Sequence, residues 1–137
     1  MSYLVQEVPL EHVNQVWPQV EEFIADSMQH AHGELTADDV RVYVTQGMWS
    51  LIVTFNEDMR IISAVVIQYF NRVRDRVAFV IAFGSDGALN PETFQHFIYI
   101  LSTNGATCVE GGVRPSVARL LRRYGFNEKH RIVGLTI

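Results

Sequence analysis

The chain of 137 residues contains a single cysteine, Cys108. No disulfide can form within it, so a reducing compartment, the cytoplasm, is the expected location. Cys108 lies in an apolar, strand-like stretch with no basic neighbour, which reads as a core thiol rather than an activated nucleophile. Long apolar runs are missing too. No window approaches the roughly 20 apolar residues of a membrane helix, and no membrane partner is expected. The first residues lack a basic stretch leading into an apolar core, so no signal peptide is expected. There are no repeats, low-complexity tracts or linker-like runs of Pro, Gly or Ser, and residues 1–137 read as one domain. The sequence offers little for a metal: His30 and His32 with Glu34 form only a weak set, and no metal is expected.

What is present is ordinary globular material, 48% hydrophobic and 19% charged. A chain of this length buries about two thirds of its unfolded surface and needs no crosslink to fold. The net charge of −4 is unevenly spread. Residues 1–59 carry ten acidic side chains against Arg41 alone, while residues 60–137 carry ten basic side chains against five acidic ones. A basic half could meet phosphates and an acidic half amines or basic proteins; equally, the two could complement each other within the fold.

Periodicity and turn chemistry supply the elements. Residues 3–8 read as a strand stopped by Pro9. Leu10, Val13, Val16 and Trp17 share a helical face, and Pro18 suits the first position of a renewed helix running to about His30, closed by Gly33. Thr36 is a candidate N-cap, with Asp38 and Asp39 in the first turn of a helix closing at Gly47. Residues 50–55, 60–70 and 76–83 read as three strands joined by short turns, hence an antiparallel meander. Asn90-Pro91 starts a helix that ends at Asn104-Gly105. Residues 107–113 read as a strand, 115–124 as a helix closed by Gly125, and 126–137 as a last strand. The class is therefore α/β (α+β), with a mixed sheet of about six strands, about four helices, and the order β-α-α-β-β-β-α-β-α-β.

That order resembles the GNAT (N-acetyltransferase-like) superfamily over nearly the whole chain. The segment Val113-Arg114-Pro115-Ser116-Val117-Ala118-Arg119-Leu120-Leu121-Arg122-Arg123-Tyr124-Gly125-Phe126 looks like the last GNAT helix with its Gly-Phe ending. This segment, together with Val16-Trp17-Pro18 and its acidic amphipathic helix, also resembles the small GNAT-like proteins of tailed bacteriophages and prophages. The resemblance implies acetyl-CoA as cofactor and an amine acceptor. In that family backbone N–H groups of the loop before a helix hold the coenzyme pyrophosphate.

The matching positions here are Phe83, Gly84, Ser85, Asp86, Gly87 and Ala88. Gly87 fits the central glycine of the family pattern. Gly84 stands where the family has Arg or Gln, Leu89 replaces a final small residue, and Asp86 brings a negative charge to the phosphate position. Arg119 and Arg122 are further candidates for coenzyme phosphates. The general acid of many members would fall at Leu121, so Tyr124, one residue before Gly125, is the nearest tyrosine but lies on another helix face. Glu110 and His32, the latter beside His30 and Glu34, are the remaining catalytic candidates. Each has a bland alternative: a packing tyrosine, an edge carboxylate and an exposed loop histidine. His12, His96 and His130 read as surface residues.

Two functions follow from this pattern. One is an acyl-CoA-dependent N-acyltransferase with a remodelled cofactor loop. The other is a non-catalytic phage protein on the same scaffold, acting in virion assembly or on a host protein. Arg72, Arg74 and Arg76 share a strand face, but no aromatics interleave with the basic residues and the whole is acidic, which disfavours nucleic acid as a partner.

Overall fold

A computed structural model describes residues 3–30, 34–87 and 90–137 of the chain. The first strand, β1 (Leu4–Glu7), is followed by a 3-10 turn (Leu10–His12) and helix α1 (Val13–Gln29). The break expected at Pro18 does not occur. Pro18 lies inside α1 and forgoes one backbone bond to the Asn14 carbonyl. Val13, Trp17, Val20, Ile24 and Met28 nevertheless form one buried stripe across it, and that burial outweighs a single missing bond.

Helix α2 (Ala37–Thr45) starts as its sequence suggests. Thr36 Oγ1 accepts from the Asp39 N–H at 3.2 Å, and Asp39 Oδ2 accepts from the Thr36 N–H at 2.9 Å. The Thr36 backbone bond and then its hydroxyl hold the Asp39 carboxyl below its ordinary range. Gly47, at φ +78°, turns the chain out of the helix.

The meander follows as β2 (Ser50–Phe55), β3 (Ile61–Asn71) and β4 (Arg76–Ser85), each antiparallel to the one before. Helix α3 (Pro91–Thr103) then crosses over to β5 (Cys108–Gly111), which pairs parallel with β4. Helix α4 (Pro115–Leu121) tightens into a 3-10 turn (Arg122–Tyr124) that Gly125 closes at φ +90°. The sheet order is β1-β2-β3-β4-β5.

The two faces of the sheet carry separate cores. On one, Trp17, Val20 and Ile24 of α1 and Val40 and Val44 of α2 pack on Leu51, Val53, Ala64, Val66 and Ala82. On the other, Leu101, Phe97 and Ile98 of α3 cover Ile52, Val65, Ile67 and Ala78. Among the described residues the sheet has five strands rather than about six. Residues 126–137 form no strand. The edge they would join is short: β5 spans four residues and runs out at Gly111-Gly112, where glycine weakens a strand. Charged residues Glu128, Lys129 and Arg131 also fill the first half of that segment.

Candidate active site

The site begins with an irregularity in β4. Ile67 pairs with Val80, but Val66 pairs with Ala82, which leaves Ile81 as an extra residue on β4, a β-bulge. At the same level β4 loses β5. Their pairing runs from Val77↔Cys108 to Val80↔Gly111 and stops, while β4 continues to Ser85. Residues 81–85 thus keep β3 on one side and have no described strand on the other. Asp86 donates its N–H to the Ile62 carbonyl of the β3 side at 2.8 Å. Antiparallel alternation then turns the N–H groups of Ser85 and Phe83 toward the open side. The Phe83 N–H is found there, donating to Ser27 Oγ on α1 at 3.0 Å.

Helix α1 forms the wall of this wedge. A cavity of about 340 Å³ opens between them, lined by Glu22, Phe23, Asp26, Ser27 and His30 of α1 and by Phe83, Gly84, Ser85 and Asp86. Glu22, Asp26 and His30 follow one another at helical i, i+4 spacing, so they share a face. With Asp86 they give the cavity three carboxylates and one imidazole. Close approach of helix and strand depends on Gly84. A Cβ placed there would lie 2.5 Å from the Phe23 carbonyl oxygen and 2.8 Å from the Phe23 Cβ. Gly87 is different, since a Cβ there would meet nothing within 4 Å. Ser85 Oγ donates to the Gly87 carbonyl at 3.0 Å and shapes the turn. Beyond the loop, Asn90 caps α3 by accepting from the Thr93 N–H at 2.9 Å, with Pro91 at the first helical position.

The structure therefore brings Phe83, Gly84, Ser85 and Asp86 together on the cavity, with Gly87 in the adjoining loop. It does not bring Glu110 there. Glu110 is only 9% exposed. Its carboxylate takes a bidentate pair from Arg72, with Arg72 Nη2 to Oε1 at 2.9 Å and Nη1 to Oε2, and Lys129 Nζ stands 3.6 Å from Oε2. The Arg72 hydrogen bonds outweigh desolvation and hold this carboxyl below its ordinary range. An ionised, twice-paired carboxylate is a poor proton acceptor.

Tyr124 packs its ring on Phe94 of α3 at 4.9 Å between centroids, and Phe126 joins at 5.9 Å. Arg119 and Arg122 are exposed on the last helical segment. His32 and Ala88 lie outside the described residues. Glu22, Asp26 and Ser27 line the cavity without being among the candidates that the sequence indicates. For Glu22 and Asp26 the available signal is the acidic strip of α1 opposite the buried stripe; Ser27 flanks that stripe and has none. Among the described residues, no group of His, Cys, Asp and Glu is placed to hold a metal ion, and no helix is long and apolar enough to cross a membrane.

No protein-family model matches the chain, and no curated protein matches it in sequence. Solved structures do. An aminoglycoside acetyltransferase from an uncultured soil metagenomic sample superposes with a TM-score of 0.70 at 8% identity, covering 100% of this chain and 99% of its own. An aminoglycoside 6'-N-acetyltransferase from Acinetobacter baumannii gives 0.65 at 12% identity over 99% and 98% of the two chains. An acetyltransferase of Trypanosoma brucei gives 0.63 at 9% identity over 99% and 100%. At such identities the likeness is one of fold. The chain has the GNAT-type acetyltransferase fold.

Proposed function

We propose that the protein transfers an acyl group from an acyl-CoA thioester to an amine that binds as its ammonium ion and gives up a proton before it attacks, the coenzyme thiol being the leaving group. The observation that carries this reading is the parting of β4 from β5 after the Val80↔Gly111 pair, beside a polar cavity. An acyl-CoA thioester, when bound, supplies the activated acyl group. The chain offers it the outward N–H groups of Phe83 and Ser85, donors of the kind that stabilise charge developing on a thioester carbonyl oxygen. Ser27 Oγ, which now accepts from Phe83, keeps that donor satisfied in the free protein. The open space at Gly87 leaves the loop backbone accessible to phosphates.

On the acceptor side, Glu22, Asp26 and Asp86 favour an ammonium group over a neutral or anionic substrate. His30 is the one imidazole among the described lining residues, and imidazole is the commonest proton acceptor in such chemistry. The titration of acetyl-CoA into the protein by calorimetry tests the reading. Heat and a raised Tm are expected, and neither at millimolar ligand would remove it. With a polyamine acceptor, Asp26→Asn should raise the KM for the amine roughly three- to fivefold with kcat little changed, the size of one exposed charge contact.

A second reading keeps the scaffold without turnover, as a phage protein acting in particle assembly or on a host protein. Two observations favour it: Gly84 is committed to contact with Phe23, and Asp86 sets a carboxylate in the cofactor loop. Acetyl transfer to any amine would count against it.

A further inference from the structure

We infer that Ser27 is a latch on the acyl-donor site. Its hydroxyl occupies the Phe83 N–H in the free protein, and an acyl-CoA displaces it before the thioester carbonyl takes that donor. The inference rests on the reading that the open side of β4 receives the thioester. Phe23 and Ser27 stand one helical turn apart and share a face of α1. Phe23 lies so closely on Gly84 that a Cβ there would come within 2.5 Å of the Phe23 carbonyl oxygen. Ser27 lies on the neighbouring residue, where its Oγ accepts from the Phe83 N–H at 3.0 Å. The end of α1 is thus seated on two consecutive residues of β4, by contact at one and by a hydrogen bond across the wedge at the other.

Neither element depends on that bond. Phe83 is exposed and borders the cavity, so water can take its N–H in place of Ser27. The end of α1 is held by Ile24 and Met28, both buried in the core on that face of the sheet. Ser27 itself is half-buried and lines the cavity. The N–H carries one hydrogen, and the serine hydroxyl and a thioester carbonyl oxygen are both neutral acceptors for it. They compete, and the affinity for an acyl-CoA is lowered by the bond given up, about fivefold for a neutral hydrogen bond. The coenzyme thiol has no carbonyl at the acyl position and makes no such demand. The latch therefore acts on the acyl donor and leaves the spent coenzyme untouched.

Calorimetry with acetyl-CoA and with the coenzyme thiol tests this on wild type, Ser27→Ala and Ser27→Thr. The alanine variant should bind acetyl-CoA about fivefold more tightly and the thiol as wild type does. The threonine variant, which keeps the hydroxyl, should match wild type with both ligands. Amide hydrogen exchange on the free proteins adds a readout that needs no ligand: in Ser27→Ala the Phe83 amide should exchange several-fold faster while the Ser85 amide is unchanged. Equal or weaker binding of acetyl-CoA by Ser27→Ala would overturn the latch and leave the acyl-CoA reading standing. An equal gain for the thiol would overturn it too, since a general loosening of α1 has that effect. So would an unaltered Phe83 exchange rate. Acetyl-CoA binding by none of the three proteins would instead remove the acyl-CoA reading, and the latch with it.

Discussion

The segment from α1 to the end of β4 and the segment after β5 are built on different terms. In the first, Trp17, Ile24, Leu51, Ile52 and Val66 are almost completely buried, and helices lie directly on a continuous meander. In the second, no described residue after Glu110 is buried, and α4 contributes nothing to either core. What holds it is specific rather than massive: the Arg72–Glu110–Lys129 cluster and the stacking of Phe94 with Tyr124 and Phe126. The lesson is that the candidate site belongs to the border of the packed body. The wedge opens between α1 and the end of β4, where β5 no longer pairs.

Substitutions can break this contrast in order of effect. Trp17→Ala should be the most damaging, by about 3–5 kcal/mol in urea unfolding, since it empties the centre of the α1 core. Its indole N–H is buried with no described hydrogen-bond partner, so Trp17→Phe should be much milder. Gly84→Ala should come next, at about 1–3 kcal/mol, because the new methyl group collides with the Phe23 backbone. It should also weaken acetyl-CoA binding by shifting α1 away from β4, which calorimetry would register.

Glu110→Gln should cost about 1 kcal/mol, since Arg72 is half-exposed and can rehydrate. Its pH signature is more informative than its size. The folded-state pKa of Glu110 is depressed, chiefly by the Arg72 hydrogen bonds, so its contribution is fully present above the ordinary value of 4.5. That contribution is lost as pH falls below 4.5 toward the folded-state value. The variant should therefore differ from wild type at pH 7 and converge with it in acid, as thermal melts across pH would show. Smallest of all should be Leu120→Ala on the exposed side of α4, within about 0.5 kcal/mol. A loss of several kcal/mol there would mean that the last helix carries packing this account assigns to the body.

The sequence disclosed what local chemistry decides. Thr36 with Asp39, Asn90 with Pro91, and the glycines at 47, 105 and 125 mark helix ends that the structure reproduces, the three glycines all at positive φ. The meander was equally legible, since short polar turns leave antiparallel pairing as the simple solution. What stayed hidden depends on partners distant in sequence. Pro18 reads as a helix start until the stripe from Val13 to Met28 is seen to bury on both sides of it. Gly84 reads as a degraded cofactor residue until α1 is found against it. Ser27 gave no signal, because its role is a hydrogen bond to a backbone 56 residues away. The last segment has the pattern of a strand, but pattern alone does not supply the edge that a strand needs, and residues 126–137 form none.

The central claim is that the open side of β4 receives the thioester ligand, and amide NMR during an acetyl-CoA titration tests it most directly. The account predicts saturable shifts at the Phe83 and Ser85 amides, with the Phe83 resonance already displaced in Ser27→Ala. Fixed resonances at both positions, or shifts confined to the basic hairpin at residues 72–76, would contradict it.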